Sequence, residues 1–419
     1  MTAVYNPQQI IFALCSIANA PSGQHGTVNE LQQYAKGLIK NVLKDPEVIK
    51  LIGNWNLVWG TQVFQAPDSD VADNAMFIAQ NADDTSQFVV SISGTNPISA
   101  YGWIVEDAML IPTVPWPYTS DSSVPTGNIA KGTSIGLDVL LNKLTDNGLS
   151  LSEFLSEQVS NSTKPLSITV TGHSLGGALS PAVALALKDT QGISTNWDPS
   201  STSSIAVQPS AGPTPGNKVW SGYYDSRLTT ATDRLWNVID IVPHAWQLSM
   251  LEQIPSLYAP TIPESSLIKK LVKLAELNSK LAGDMQQICP SAQPLPGNVN
   301  TSIDITVREL ISLLETLIAN EIIDKLGLTA EEAKLMKMLI DKWIKHLNKQ
   351  EDVSQKLHRG SILSELESEG EKVLESLWSG FKDFIDFLKQ AAYQHTTAYS
   401  VLLGTVAFED RVNTLTPKN

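Results

Sequence analysis

The spacing of apolar positions changes along this chain, and the change divides it. Between Asn56 and Asp240, short runs rich in β-branched and aromatic residues recur: "NLVWGTQVF", "AMFIAQN", "QFVVSIS", "SITVTG", "SSIAVQPSAG" and "RLWNVID". Gly, Pro, Asn and Asp bound them, which predicts strands. Apolar residues at helical spacing separate several of these runs, around Ile135–Leu144, Leu149–Val159 and Gly177–Lys188. Ahead of the first strand, "TVNELQQYAKGLIKNVL" places Leu31, Tyr34, Leu38 and Val42 on one helical stripe, behind the capping-box pair Thr27 and Glu30. Strands alternating with helices predict an α/β fold with a mostly parallel central sheet.

From Glu264 to Gln390 the pattern is helical almost throughout. A first helix runs to Gly283, and a Pro/Gly break, "CPSAQPLPGN", follows it. A second is predicted over "ITVRELISLLETLIANEIIDKLG", a third behind Thr329 and Glu332, and a last over about Glu365 to Gln390. Charge follows the same border, since half of all Lys, Arg, Asp and Glu residues fall in this stretch, under a third of the chain. The expected organisation is one α/β domain over residues 1–262 and 391–419, with residues 263–390 inserted as a helical cap or lid. Trp378, Phe381, Phe384, Phe387 and Leu388 form an apolar stripe on its last helix. Such a stripe serves either to pack on the main domain or to roof an apolar pocket. The Pro-rich Ile111–Gly127 stretch is a second candidate for a moving loop.

Bulk composition narrows the function classes. The 419 residues are 42% hydrophobic and 17% charged, with a net charge of −14. That balance fits a folded protein and argues against nucleic acid as a partner. It disfavours electrostatic attraction to anionic membranes and leaves neutral lipid open. Two cysteines, Cys15 and Cys289, make no disulfide framework, and the six histidines show no metal-ligand spacing. No metal or cofactor is expected. No apolar run is long enough to span a bilayer. "IIFALCSIANA" ends in a cleavage-site-like Ala18-Asn19-Ala20, but the first basic residue is Lys36. It reads as a buried helix ahead of a signal peptide, which favours a cytoplasmic or non-classically secreted protein. Oligomeric state is left open.

The candidate chemistry begins with two matches to G-x-S-x-G, "GTSIG" over Gly132–Gly136 and "GHSLG" over Gly172–Gly176. Only the second follows a β-branched run and precedes an Ala/Leu-rich helix. In a strand–turn–helix the serine takes a strained conformation and its hydroxyl is presented at the carboxyl edge of the sheet. Ser174 is therefore the candidate nucleophile, and "GTSIG" reads as an ordinary helix start. A serine needs a base, and the base needs an orienting carboxylate. Asp240 ends "RLWNVID" at the right edge, although an Asp there also simply starts a turn. Among the later histidines, position favours His395 only slightly over His244, while His346 and His358 lie in the charged segment. His173 is expected to point away from the nucleophile. Oxyanion donors are sought at the backbone N–H of Leu175 and near Gly94-Thr95.

These pieces, in order, resemble the class 3 (fungal-type) lipases of the α/β-hydrolase fold. "FVVSISGT" is similar to the family's oxyanion strand, "GWIVEDAML" to its N-W-x-x-D-L element and "VTGHSLGGALS" to its nucleophile segment. "SAGPTPGNKVW", "NVIDIVPHAW" and "YQHTTAY" resemble its later elements, up to the terminal histidine. The resemblance implies Ser174 as nucleophile, Asp240 as acid and His395 as base, with Thr95 and Leu175 as oxyanion donors and Asp107 as a structural carboxylate. Ser93, Ile239 and the "PTP" of Pro213–Pro215 depart from the family pattern without removing a catalytic group. The function implied is a serine carboxylester hydrolase acting through an acyl-enzyme, first of all a triacylglycerol lipase working on lipid, at a lipid–water interface where one is present. An sn-1 phospholipase, galactolipase or soluble esterase keeps the chemistry and changes the substrate. A catalytically inactive lipid- or protein-binding module is the reading of another class, and the complete set of Ser, Asp and His speaks against it.

Overall fold

Residues read as strands pair edge to edge in a five-stranded sheet. The strands are β1 (Trp55–Phe64), β2 (Asn74–Asn81), β3 (Gln87–Ile92), β4 (Ser167–His173) and β5 (Ser204–Ser210), and they lie in chain order. The computed structural model describes residues 3–67, 69–94, 112–119, 123–303 and 371–417, with scattered positions between 330 and 344. The sheet is mixed rather than mostly parallel: β1, β2 and β3 are antiparallel, and β3, β4 and β5 are parallel. Loop length explains the difference. A parallel crossover needs roughly a dozen residues or more, usually including a helix. Only residues 65–73 and 82–86 join the first three strands.

"RLWNVID", expected as a further strand, runs parallel beside β5 but meets it in a single bridge at Leu235, with one more at Thr232 just ahead of it. Asp233 donates its N–H to the Val207 carbonyl, 2.8 Å. The matching return bond of a parallel ladder would come from residue 209, which is proline and has no N–H to give.

Both faces of the sheet are covered, and the period of two along each strand says how. Phe88, Val90 and Ile92 of β3 join Met76, Ile78, Ile168 and Val170 in one core. That core is closed by α4 (Lys131–Asp138), α5 (Leu151–Asn161) and α6 (Leu175–Thr190). Val89, Phe77 and Ala79 face the other way, against α1 (Pro7–Ser16), α2 (Val28–Lys44) and α3 (Pro46–Ile52). Each fully buried Phe, Val or Ile stabilises the fold by about 1.5–3 kcal/mol. The apolar N-terminal stretch is α1, with Phe12, Ala13, Leu14 and Cys15 buried. "GTSIG" lies inside α4, an ordinary helix as its sequence suggested. Cys15 and Cys289 are both buried and unpaired.

Beyond β5 come α7 (Lys218–Leu228), α8 (Ser266–Ala282), α9 (Glu371–His395), α10 (Thr397–Leu403) and α11 (Val406–Leu415). Among the described residues no helix is long and apolar enough to cross a membrane. Most of the expected second and third insertion helices, with His346 and His358, lies outside the described residues. Within the expected insertion, residues 284–298 thread through the main body. Gln287 donates to the Gly212 and Pro243 carbonyls at 3.0 and 3.1 Å, and Leu295 donates its N–H to Trp236 at 2.7 Å. Ile288 and Cys289 join the main core. The sequence carries a signal for this: between Leu281 and Ile303 the only charged residue is Asp284.

The last insertion helix extends to His395, past the expected end. Phe384, Phe387 and Leu388 of its stripe are buried, with the Phe387 ring 4.7 Å from that of Tyr258. The described half of the stripe therefore packs as core. The side chains of Trp378 and Phe381 lie outside the described residues. In the Pro-rich stretch, Trp116 is buried and its indole N–H donates to Asp189 at the end of α6, 2.8 Å.

Candidate active site

Between β4 and α6 the chain must reverse within one residue, and Ser174 is that residue. Its backbone has φ 58° and ψ −120°, a conformation side-chain-bearing residues rarely take. The turn holds because the neighbouring backbones pack onto it. A Cβ on Gly172 would overlap the Gly176 carbonyl, and one on Gly176 would overlap the Ile92 carbonyl. Ser174 donates its own N–H to Ser210 at 3.0 Å, which ties the turn to the end of β5.

His395 meets this serine from the end of α9. Its Nε2 lies 2.8 Å from Ser174 Oγ, and its Nδ1 lies 2.9 Å from Asp240 Oδ2. All three residues are buried. A carboxylate only accepts, so Nδ1 carries the proton and Nε2 is left to accept from the serine hydroxyl. Asp240 is itself held on both oxygens. Val242 donates its N–H to Oδ1 at 3.0 Å, and the Tyr399 hydroxyl donates to Oδ2 at 2.9 Å. Burial pushes the Tyr399 phenol well above its usual range, so it stays a donor.

The other histidines take different places. His244 donates Nδ1–H to the Asp240 carbonyl at 2.7 Å, so it braces the acid's backbone and does not reach the serine. Burial lowers its pKa. His173 does not turn away from the site as its position suggested. Its ring centroid lies 4.8 Å from that of His395, tilted by 44°, and 5.5 Å from that of Tyr399, edge to face. Burial, and then the neighbouring His395, bring its pKa down to about 3, so it stays neutral beside the imidazole.

Of the two oxyanion candidates, Leu175 is the first residue of α6, where an N–H has no acceptor within its own helix. Thr95 and Asp107 lie outside the described residues. Gly94, just before Thr95, is close to the nucleophile: a Cβ there would stand 3.1 Å from that of Ser174. Its N–H donates to the Asn19 side chain at 2.8 Å. Ser93, the departure from the family pattern, is buried, and its hydroxyl accepts from Ala75 N–H at 2.8 Å.

Sequence reading missed Tyr399, Asn237 and Gln394, which support the acid and base through buried hydrogen bonds. Tyr399 follows His395 by four residues, but α9 ends between them, so the spacing does not put both on one helical face.

The family model "Lipase (class 3)" matches residues 122–250, a stretch that includes Ser174 and Asp240. Among solved structures, M37 lipase superposes with a TM-score of 0.65 and 26% identity, covering 83% of this chain and 100% of that one. Lip2 lipase from Yarrowia lipolytica gives 0.38 and 16%, over 58% of this chain and 76% of its own. Lipase II from Rhizopus niveus gives 0.38 and 16%, over 58% and 75%. No curated protein matches by sequence. The match to the class 3 lipase model over residues 122–250, on a fold shared with M37 lipase, makes this chain a carboxylic ester hydrolase with the α/β-hydrolase fold.

Proposed function

We propose that the chain hydrolyses acylglycerol esters, triacylglycerol first, with Ser174 as nucleophile, His395 as general base and Asp240 as the orienting acid. The observation that carries this reading is the unbroken run of contacts from Ser174 Oγ through the His395 ring to Asp240 Oδ2, at 2.8 and 2.9 Å. Ser174 Oγ attacks the ester carbonyl while His395 Nε2 takes its proton. Asp240, kept in place by Val242 N–H and Tyr399 OH, stabilises the imidazolium that forms. The negative charge on the carbonyl oxygen is met by the Leu175 N–H at the head of α6, where the helix dipole adds to the donor. Thr95 is proposed as the second donor. His395 then protonates the departing alcohol. Water, activated by the same imidazole, releases the acyl group from Ser174. The residues of the site supply every proton transfer in this scheme.

The domain reading follows from where the proposed triad sits. The helical segment between Asp240 and His395 starts and ends beside the site, which suits a cap over an acyl pocket. Hydrolysis of p-nitrophenyl esters from acetate to palmitate, and of emulsified triacylglycerol, by wild type and Ser174→Ala tests the reading. Turnover by wild type alone, rising toward the long chains and the emulsion, is the expected result. Equal turnover by both proteins would remove Ser174 as nucleophile, and a preference for acetate would replace lipase by esterase.

A further inference from the structure

We propose that Asn237 is a positioning residue that sets the contact between acid and base, with Gln394 as its partner. The inference rests on the triad reading above and concerns how its two halves are held together.

Asn237 lies three residues before Asp240 and is fully buried, as is Gln394, the residue before His395. Each polar group of Asn237 has its own task. Its carbonyl accepts from Asp240 N–H at 3.0 Å. Its side-chain Oδ1 accepts from Ile239 N–H at 3.2 Å, closing a tight turn that aims the acid. Its own N–H donates to the Tyr399 hydroxyl at 3.0 Å, and that hydroxyl donates onward to Asp240 Oδ2. The side-chain Nδ2 donates to Gln394 twice, at 2.7 Å to Oε1 and 3.2 Å to the backbone carbonyl.

The last contact joins the halves. Gln394 is in the final turn of α9, where carbonyls have no acceptor role left inside the helix. Asn237 therefore caps, from the acid's loop, the helix end that carries the base. Gln394 in turn donates to the Asn298 carbonyl at 2.7 Å. The chain packs so closely here that a Cβ on Gly297 would overlap Asn237 Oδ1.

Only asparagine meets these demands at that position. Aspartate has the same shape but cannot donate to Gln394, and leucine can neither donate nor accept. A shift of the helix end by about 1 Å would move Nε2 out of line with the serine, and misplacement of that size costs about 100-fold in rate.

The test uses the full chain and the variants Asn237→Leu, Asn237→Asp, Gln394→Leu and the double Asn237→Leu/Gln394→Leu. A soluble p-nitrophenyl ester gives kcat and KM, a fluorophosphonate gives the rate of Ser174 labelling, and thermal melting reports folding. The expected result is a fall of about 10- to 100-fold in kcat and in labelling rate, with KM within about twofold. The double variant should lose clearly less than the product of the two singles, because both remove the shared Asn237–Gln394 contact, each with one separate bond, to Ile239 and to Asn298. Folded single variants with wild-type kcat and labelling rate would overturn the inference. So would a double variant whose loss is the product of the two singles. If Asn237→Leu does not fold, the isosteric Asn237→Asp and the helix-borne Gln394→Leu carry the same readouts. Ser174→Ala is run alongside. A wild type without Ser174-dependent turnover refutes the triad, whereas Ser174-dependent turnover with unaffected Asn237 variants refutes only this inference.

Discussion

Ser174 stands on a one-residue turn whose shape is set by backbone packing against backbone, whereas His395 ends a helix held at its tip by side chains. On the nucleophile side the parts are adjacent in sequence: β4, the turn and α6 are continuous from Ser167 to Thr190. The glycines at 172 and 176 are needed because other main-chain atoms occupy the space a Cβ would fill. On the base side the parts come from far apart. His395 is 155 residues from Asp240 and 221 from Ser174. Tyr399, Asn237, Gln394 and Asn298 join them by hydrogen bonds. One half fails by steric clash and the other by loss of a donor or acceptor. Damage should therefore show as lost stability in the first and as lost turnover in the second.

The largest effect expected is on the base side. His395→Ala should lower kcat/KM by at least about 10³-fold with little change in melting temperature. His244→Ala should keep most of the activity, because that ring reaches only the Asp240 carbonyl. Ester hydrolysis by the two variants decides, and a reversed ranking would break the proposed triad. On the nucleophile side, Gly176→Ala forces a methyl into the Ile92 carbonyl. A cost of about 3 kcal/mol is expected, read as a lower urea midpoint. An unchanged midpoint would mean that the packing argument is wrong. Tyr399→Phe removes one of the two bonds to Asp240 Oδ2 without changing shape. A hydrogen bond to a charged group contributes about 1.5–3 kcal/mol, so kcat should fall by about tenfold or more while KM stays. Wild-type kcat would show that the imidazole and the Val242 N–H suffice to hold the acid.

The smallest effect lies at the far end of the C-terminal helices. Arg411 on α11 makes two bonds to Asp45, the cap of α3, at 3.0 and 2.5 Å. Its guanidinium brings the Asp45 carboxyl from the ordinary 3.8 down to about 2. A depressed carboxyl stabilises the fold above its unfolded value and loses that contribution as pH falls through the folded one. Arg411→Gln should lower stability slightly near neutral pH, since the guanidinium is partly exposed and solvent screens the pair. The gap between variant and wild type should close as pH falls from about 4 to about 2 in denaturation experiments. A gap independent of pH would assign the effect to packing.

What was legible in the sequence follows the same division. The strand, turn and helix around "GHSLG" could be read because their cues lie within a few residues of one another. Periodicity found the five strands of the central sheet but missed the antiparallel pair Val114–Pro115 and Asn128–Ile129, which is too short to show a period. The Thr27–Glu30 capping box is formed as expected, with Glu30 accepting from Thr27 N–H at 2.8 Å. The sense of the sheet was harder to read. Strand patterns look alike in parallel and antiparallel pairs, and only the short loops at 65–73 and 82–86 carry the distinction. The residues 284–298 are polar and Pro-rich, so no period marks them as part of the body, and their place rests on partners forty or more residues away.

By itself the sequence determined the elements and their local chemistry. A β-branched run, two glycines and an Ala/Leu helix leave the serine one geometry, because steric exclusion acts between neighbours in the chain. It also narrowed the base to a choice between His395 and His244. The resemblance pointed to His395, and the tertiary structure supplies a geometry consistent with it, with one ring at Ser174 Oγ and the other on the Asp240 backbone. The support of Asp240 by Tyr399, and of the His395 helix by Asn237, was decided only in the tertiary structure. Hydrogen bonds between buried side chains depend on position in space to within a fraction of an ångström, and spacing along the chain does not encode it.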